Sequence, residues 1–103
     1  MSEARAAFDT QGIIVSALRE VAEIHQVALP ELSESTPILR LLDSLALVAL
    51  VATIEMRLAQ LGHDVTIVSE RAFSAKRSPF LTVKTLREHV NVLMQERRAE
   101  DVR

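Results

Sequence analysis

The longest apolar run of this chain, LALVALVATI at residues 45–54, constrains its fold more than any other feature. Only Thr53 interrupts the run, and charged residues bound it, with Asp43 before it and Glu55 and Arg57 after it. A run of this length is too short to cross a bilayer. A helix through it is apolar on most of its surface, so it is either deeply buried or offers one face to another molecule.

Composition favours helices packed on helices around this run. Of the 103 residues 49% are apolar, mostly Leu, Val, Ala and Ile, and only 3% are aromatic. Two glycines and three prolines leave little turn chemistry for an all-β fold. We therefore predict an all-α fold, a small bundle of three main helices plus one short helix. Residues 1–103 form one domain in this prediction, with 1–8 and 96–103 frayed.

Apolar residues recur at helical spacing in four segments. The predicted helices run over residues 10–26, 44–60, 69–75 and from 82 onward. Asp9 is the expected N-cap of the first, with Phe8 and Ile13 as a hydrophobic staple around it. Gly62 is expected to end the second.

Each main helix is expected to bury one apolar stripe. These stripes are Ile14, Ala17, Leu18, Val21 and Ile24; Leu47, Leu50, Val51, Ile54, Leu58 and Leu61; and Val83, Leu86, Val90, Leu93 and Met94. The second helix carries another apolar stripe on a different face: Ala46, Ala49, Thr53 and Met56. In the connector over residues 27–42, Pro30 and Pro37 prevent one continuous helix. Its leucines are expected to pack across the bundle.

The chain lacks the residue patterns that most function classes require. The net charge of −2 and the few aromatic residues argue against nucleic-acid binding. Cys is absent, which excludes disulfides and cysteine nucleophiles. His25, His63 and His89 lie far apart, and no Gly-rich phosphate loop or nucleophile elbow occurs, so we expect neither a metal site nor catalysis. The N-terminus lacks the apolar segment of a signal peptide, and a cytoplasmic protein without membrane insertion is expected.

Asp43 and Ser44, directly before the apolar helix, allow two interpretations. In the first, Asp43 accepts hydrogen bonds from the free N–H groups of the first turn, and Ser44 merely follows it. In the second, the Ser44 hydroxyl is esterified to a phosphate, which the unpaired N–H groups and the helix dipole favour. The two interpretations are compatible, so capping does not choose between them.

The order of these motifs resembles that of the acyl carrier and peptidyl carrier proteins. A polar connector is followed by LLDSL, a long helix, a loop with a short helix, and a last helix that opens with Thr82 and Val83. In that family the Ser of an Asp-Ser-Leu motif at the start of the second helix receives 4′-phosphopantetheine. The resemblance extends to about residue 95. LLDS together with SPFLTVKTLREHV is similar to the D-alanyl carrier proteins in particular.

The resemblance implies a carrier protein and not an enzyme. Ser44 would bear the covalent 4′-phosphopantetheine, with Asp43 and Leu45 beside it, and the cargo would be an acyl or aminoacyl group held as a thioester. The implied partners are a phosphopantetheinyl transferase, which attaches the arm from coenzyme A, and an acyl or aminoacyl ligase or synthase, which loads it. The cargo stays open between fatty acyl, polyketide, amino acid and D-alanine.

Two departures from the family concern the attachment point and the second helix. Arg40, Leu41 and Leu42 stand where a small residue, usually Gly, often precedes the motif. Ala46 and Ala49 stand where family members usually carry acids that meet basic partner enzymes. We therefore expect partners with an apolar groove, weakly sensitive to salt. The expected contact residues are Ala46, Val48, Ala49, Thr53 and Met56.

The alternative is a non-catalytic helical interaction or dimerisation module with a degenerate carrier fold and no prosthetic group. The over-apolar second helix favours it, since contiguous exposed apolar patches mark interfaces. Dimerisation would then use Ala46, Ala49, Thr53 and Met56. For the carrier itself a monomer is expected, with a weak dimer as the alternative.

Overall fold

The computed structural model describes residues 9–67, 80 and 82–102, with side chains up to residue 96. Over these residues it is mostly helical, which confirms the all-α prediction. The helices of the described part are α1 (Thr10–His25), α2 (Ile38–Leu41), α3 (Ser44–Gln60) and α4 (Val83–Val102). Three are long and one is short, and the short one lies in the connector. The short helix predicted over residues 69–75 falls outside the described residues.

The start of α1 depends on an aspartate and a glycine. Asp9 caps the helix as predicted, because its Oδ1 accepts a hydrogen bond from the N–H of Gly12 at 2.8 Å. A Cβ on Gly12 would overlap the Asp9 carboxylate, so any other residue at position 12 would have to displace the capping side chain. Phe8 of the predicted staple lies outside the described residues. At the other end, Gln26 adopts a left-handed φ of 58° and ends the helix after His25.

The connector packs across the bundle through two anchors at the ends of α2. Ile38 is 0% exposed and Leu42 is 6% exposed, and the Leu42 N–H donates to the Ile38 carbonyl at 3.0 Å. Leu39 between them is 39% exposed. The sequence did not predict this turn. Proline is tolerated at the start of a helix, so Pro37 opens α2 as its N-cap residue.

The connector also fixes the start of α4. The carbonyls of Glu34 and Thr36 accept hydrogen bonds from the first two N–H groups of α4, at 2.8 and 3.1 Å. Thr82 and Thr85 form a reciprocal cap, each hydroxyl accepting the other's backbone N–H, at 3.2 and 2.9 Å. Two orphan donors of this helix end are therefore satisfied by a segment far away in sequence, and a third, the Thr85 N–H, by the local cap.

The end of α3 follows the predicted glycine stop. Gly62 has a φ of 92°, and its N–H donates to the Ala59 carbonyl at 3.0 Å. The His63 N–H donates to the Leu58 carbonyl at 2.8 Å, which completes a Schellman motif. Leu61 lies beyond the last helical residue and is 56% exposed, so its predicted place in the buried stripe is wrong.

One hydrophobic core joins the three long helices, with α1 lying against both α3 and α4. The fully buried large side chains include Ile14, Leu18, Ile38, Leu50, Ile54, Leu58, Ile67, Leu86 and Val90. Burial along α1 ends at Ala22. Ile24, in the last turn beyond it, is 68% exposed, so the prediction that it is buried is wrong.

The helix α4 continues to Val102, beyond residue 96, from which fraying is expected. That fraying stays a prediction. The physical reason for the helix is local, since Gln, Glu, Arg and Ala in this segment are all strong helix formers. No helix within the described residues is both long enough and apolar enough to span a membrane.

Candidate functional site

The junction between α2 and α3 presents Asp43 and Ser44 to solvent. Leu42, buried just before them, has φ −114° and ψ 138°, and Asp43 has φ −78° and ψ −179°. These are extended conformations that any residue adopts. The turn into α3 therefore needs no glycine before the motif, which explains how Arg40 and Leu41 can stand there.

Asp43 is the N-cap of α3, as predicted. Its Oδ1 accepts a hydrogen bond from the N–H of Ala46 at 2.8 Å, and its carbonyl accepts one from the N–H of Leu47 at 2.9 Å. This satisfies one of the orphan donors of the first turn through a side chain. The carboxylate is thereby directed along the helix start, beside Ser44.

Ser44 is the first residue of α3, and it is exposed. Within the described residues its hydroxyl has no hydrogen-bond partner. The N–H groups of Ser44 and Leu45 belong to the first turn, where a helix supplies no acceptor. Together with the positive end of the helix dipole, these N–H groups favour a phosphate. An exposed, unengaged hydroxyl in this position fits a phosphate ester such as that of 4′-phosphopantetheine.

The face of α3 turned away from the core is apolar from end to end. Leu45, Val48 and Met56 are 70%, 58% and 55% exposed, and Ala52 and Ala59 are also exposed. At 3.6 residues per turn, these five positions fall within an arc of about 80°. We call this set, Leu45, Val48, Ala52, Met56 and Ala59, the outward stripe.

The predicted contact residues divide between the outward stripe and the rest of α3. Val48 and Met56 lie on the stripe. Ala49 and Thr53 are half-buried, and the Thr53 hydroxyl donates to the Ala49 carbonyl at 2.8 Å, so it is engaged within the helix. Ala46 is 1% exposed, and its predicted role as a contact residue is wrong. The physical reason is that Ala46 lies one turn before the buried Leu50, on the core face.

Sequence reasoning missed two members of the outward stripe, Ala52 and Ala59. Their signal was present in the spacing of 45, 48, 52, 56 and 59, which follows the helical repeat. It was hidden because α3 is also apolar on its core face, so more than one stripe can be drawn through the same sequence.

The two charged residues of α3 are engaged within the chain. Glu55 accepts a hydrogen bond from the backbone N–H of Ile67 at 2.6 Å. Arg57 donates to the Ser16 hydroxyl at 2.6 Å and forms a salt bridge with Glu20, which ties α3 to α1. The outward stripe therefore lies on a helix whose charges already have partners.

A cleft of about 500 Å³ lies between the first turn of α1 and α4, and none of its lining residues belongs to α3. Its polar side chains are paired: the Thr10 hydroxyl donates to Asn91 at 2.7 Å and Arg87 donates to Gln11 at 2.6 Å. Arg87 also pairs with Glu34 of the connector at 3.4 Å. These contacts join α1, α4 and the connector, so the polar residues of the cleft have a structural role.

Among the described residues, no group of three or more His, Asp or Glu side chains could hold a metal ion. Comparison with known proteins finds no relative of this chain. No family model matches the chain, and neither the curated proteins nor the solved structures include a match.

Proposed function

We propose that this chain is a carrier protein that holds an acyl or aminoacyl cargo on 4′-phosphopantetheine attached to Ser44. One observation carries the proposal: the first residue of α3, between the capping Asp43 and the exposed Leu45, has an exposed hydroxyl with no hydrogen-bond partner among the residues that the structure describes. This is where the Asp-Ser-Leu motif of carrier proteins would need its serine. The resemblance of the motif order supports the same assignment.

The residues around Ser44 have distinct roles in this proposal. Ile38 and Leu42 are buried and anchor the approach to α3 in the core, directly before the attachment point. Asp43 holds the first turn of α3 closed through its hydrogen bond to the N–H of Ala46. The N–H groups of Ser44 and Leu45 would face the phosphate. When bound, the prosthetic group supplies a terminal thiol for the cargo thioester, which this chain without Cys cannot supply.

The partners follow from this chemistry. A phosphopantetheinyl transferase would attach the arm from coenzyme A, and an acyl or aminoacyl ligase or synthase would load it, with both acting in the cytoplasm. The chain itself catalyses no step. Leu45 and Val48 are exposed beside Ser44 and would contact an apolar groove of these enzymes. Binding at this surface would be stabilised by burial of apolar area and not by charge attraction.

Intact mass measurement tests the assignment. Wild type incubated with coenzyme A and a broad-specificity phosphopantetheinyl transferase should gain the mass of one phosphopantetheine. Ser44→Ala should gain nothing, whereas Ser35→Ala, which alters an exposed serine of the connector, should gain as wild type does. The proposal fails if wild type gains no mass under conditions that modify a known carrier. A gain on Ser44→Ala would instead refute the attachment point.

The outward stripe favours a second candidate, a helical interaction module without a prosthetic group. Contiguous exposed apolar surface of this kind marks a contact with another protein. In that case wild type would stay unmodified, and charged substitutions on the stripe would be the changes that abolish binding to its partner.

A further inference from the structure

The outward stripe is symmetric about Ala52. Leu45 and Ala59 each stand seven residues from Ala52, and Val48 and Met56 each stand four residues from it. In a two-fold contact the same patch of both subunits meets itself, so residue i contacts j and j contacts i. A helix face that is symmetric about one residue can therefore pair with a second copy of itself in antiparallel orientation.

We propose that the outward stripe joins two copies of this chain, with their α3 helices antiparallel and crossing at Ala52. Leu45 then faces Ala59 of the second copy, and Val48 faces Met56. Each pair sets a branched side chain against a small or a flexible one, which suits close packing. At the axis the two Ala52 methyl groups let the helices approach closely. In the antiparallel orientation the two helix dipoles also point in opposite directions, which is favourable.

Charge is compatible with this pairing. The charged residues of α3, Glu55 and Arg57, have partners within their own subunit. In the antiparallel register Glu55 lies opposite Ala49 of the second copy and Arg57 lies opposite Leu47, so no like charges meet.

The length of the stripe limits the strength of the pair. From Leu45 to Ala59 the helix rises about 21 Å, and one helix face of that length covers less than the roughly 800 Å² per partner of a standard interface. The dimer should therefore form at high protein concentration and dissociate on dilution. If Ser44 is the attachment point, which rests on the proposed function, the dimer covers Leu45 and Val48 beside it and only the monomer is open to modifying enzymes.

Cysteine cross-linking tests this pairing directly, because the chain has no native Cys. Under mild oxidation Ala52→Cys should form a disulfide-linked dimer. A mixture of Val48→Cys and Met56→Cys should yield mainly the mixed dimer, which distinguishes the antiparallel from the parallel orientation. Val92→Cys, at a position on α4 that is 50% exposed, is the control for random collision. Ala52→Cys should cross-link at least about tenfold faster than this control.

Sedimentation velocity provides a second measurement that does not depend on Cys. Wild type should shift toward twice the monomer mass as its concentration rises, and Ala52→Glu should stay monomeric with an unchanged circular dichroism spectrum. Cross-linking of Ala52→Cys no faster than of Val92→Cys, or a wild type that is monomeric throughout, would overturn the dimer. If wild type is monomeric and Ala52→Glu slows phosphopantetheine transfer, the stripe binds a partner enzyme instead. Neither measurement uses the prosthetic group, so failure of the proposed function leaves the dimer standing.

Discussion

The Glu55 carboxylate on α3 accepts a hydrogen bond from the backbone N–H of Ile67 at 2.6 Å. Ile67 is 0% exposed, so water cannot replace Glu55 as the acceptor for that N–H. The contact ties the segment that follows α3 back onto the helix. A carboxylate that the sequence places beside the partner surface therefore has a structural role.

Replacing Glu55 should destabilise the fold through this contact. Glu55→Ala leaves the Ile67 N–H without its acceptor and should lower the free energy of unfolding by about 1–3 kcal/mol. Glu55→Gln keeps a carbonyl acceptor and should cost less. Urea denaturation followed by circular dichroism measures both. Glu88→Ala, at an exposed site on α4, is the matched control, and an equal loss in Glu55→Ala and Glu88→Ala would contradict the contact.

Asp43 should be replaceable by a residue that keeps its capping oxygen. Asp43→Ala removes the acceptor of the Ala46 N–H and should cost about 0.5–2 kcal/mol, whereas Asp43→Asn should retain most of the stability. Urea denaturation checks the difference. The rate of phosphopantetheine transfer then separates two roles: a rate retained in Asp43→Asn means that capping suffices, and a rate lost in a stable Asp43→Asn means that the transferase needs the charge.

Gly12→Ala should not stabilise the protein in the way that a glycine-to-alanine substitution within a helix usually does. Alanine usually stabilises a helix interior by about 1 kcal/mol relative to glycine. Here the added Cβ would overlap the Asp9 carboxylate and displace the cap, at a cost of about 0.5–2 kcal/mol, so the gain should vanish or reverse. In an Asp9→Ala background no cap remains to be lost, and Gly12→Ala should then stabilise. A double-mutant cycle by thermal or urea unfolding measures this coupling; additive effects would refute it.

Two leucines on opposite faces of α3 provide a matched pair. Leu50 is 0% exposed and Leu45 is 70% exposed. Leu50→Ala should cost about 2–5 kcal/mol through lost burial and a cavity. Leu45→Ala should change stability by less than about 0.5 kcal/mol when measured at low protein concentration. Similar losses in the two variants would mean that α3 is rotated relative to the orientation described above.

Modification should depend little on salt if the proposed function holds. The outward stripe is uncharged and Arg57 is paired with Glu20, so burial of apolar surface should contribute more to enzyme binding than charge attraction does. The apparent KM of the transferase for this protein, with coenzyme A saturating, should rise less than about threefold between roughly 50 and 500 mM NaCl. A tenfold or larger rise would show electrostatic recognition.

Three helix ends, the starts of α1 and α3 and the end of α3, could be predicted from the sequence because they depend on local chemistry. Asp9 and Asp43 cap the helices predicted for them, and Gly62 ends α3 with a positive φ of 92°. Each of these contacts joins residues within a few positions of one another, so a short window of sequence contains both partners. The exposed position of Ser44 follows from the same local logic, since it directly succeeds an N-cap.

Which side of α3 faces the core could not be predicted from the sequence and depends on how the helices pack. Ala46 and Ala52 are the same residue type in the same apolar run, yet Ala46 is 1% exposed and Ala52 lies on the outward stripe. A helix that is apolar all round carries no polar face to orient it, so its rotation is set by the helices it packs against. The hydrogen bond from Ile67 to Glu55 and the capping of α4 by the connector join segments far apart in sequence, and no local pattern encodes such pairings.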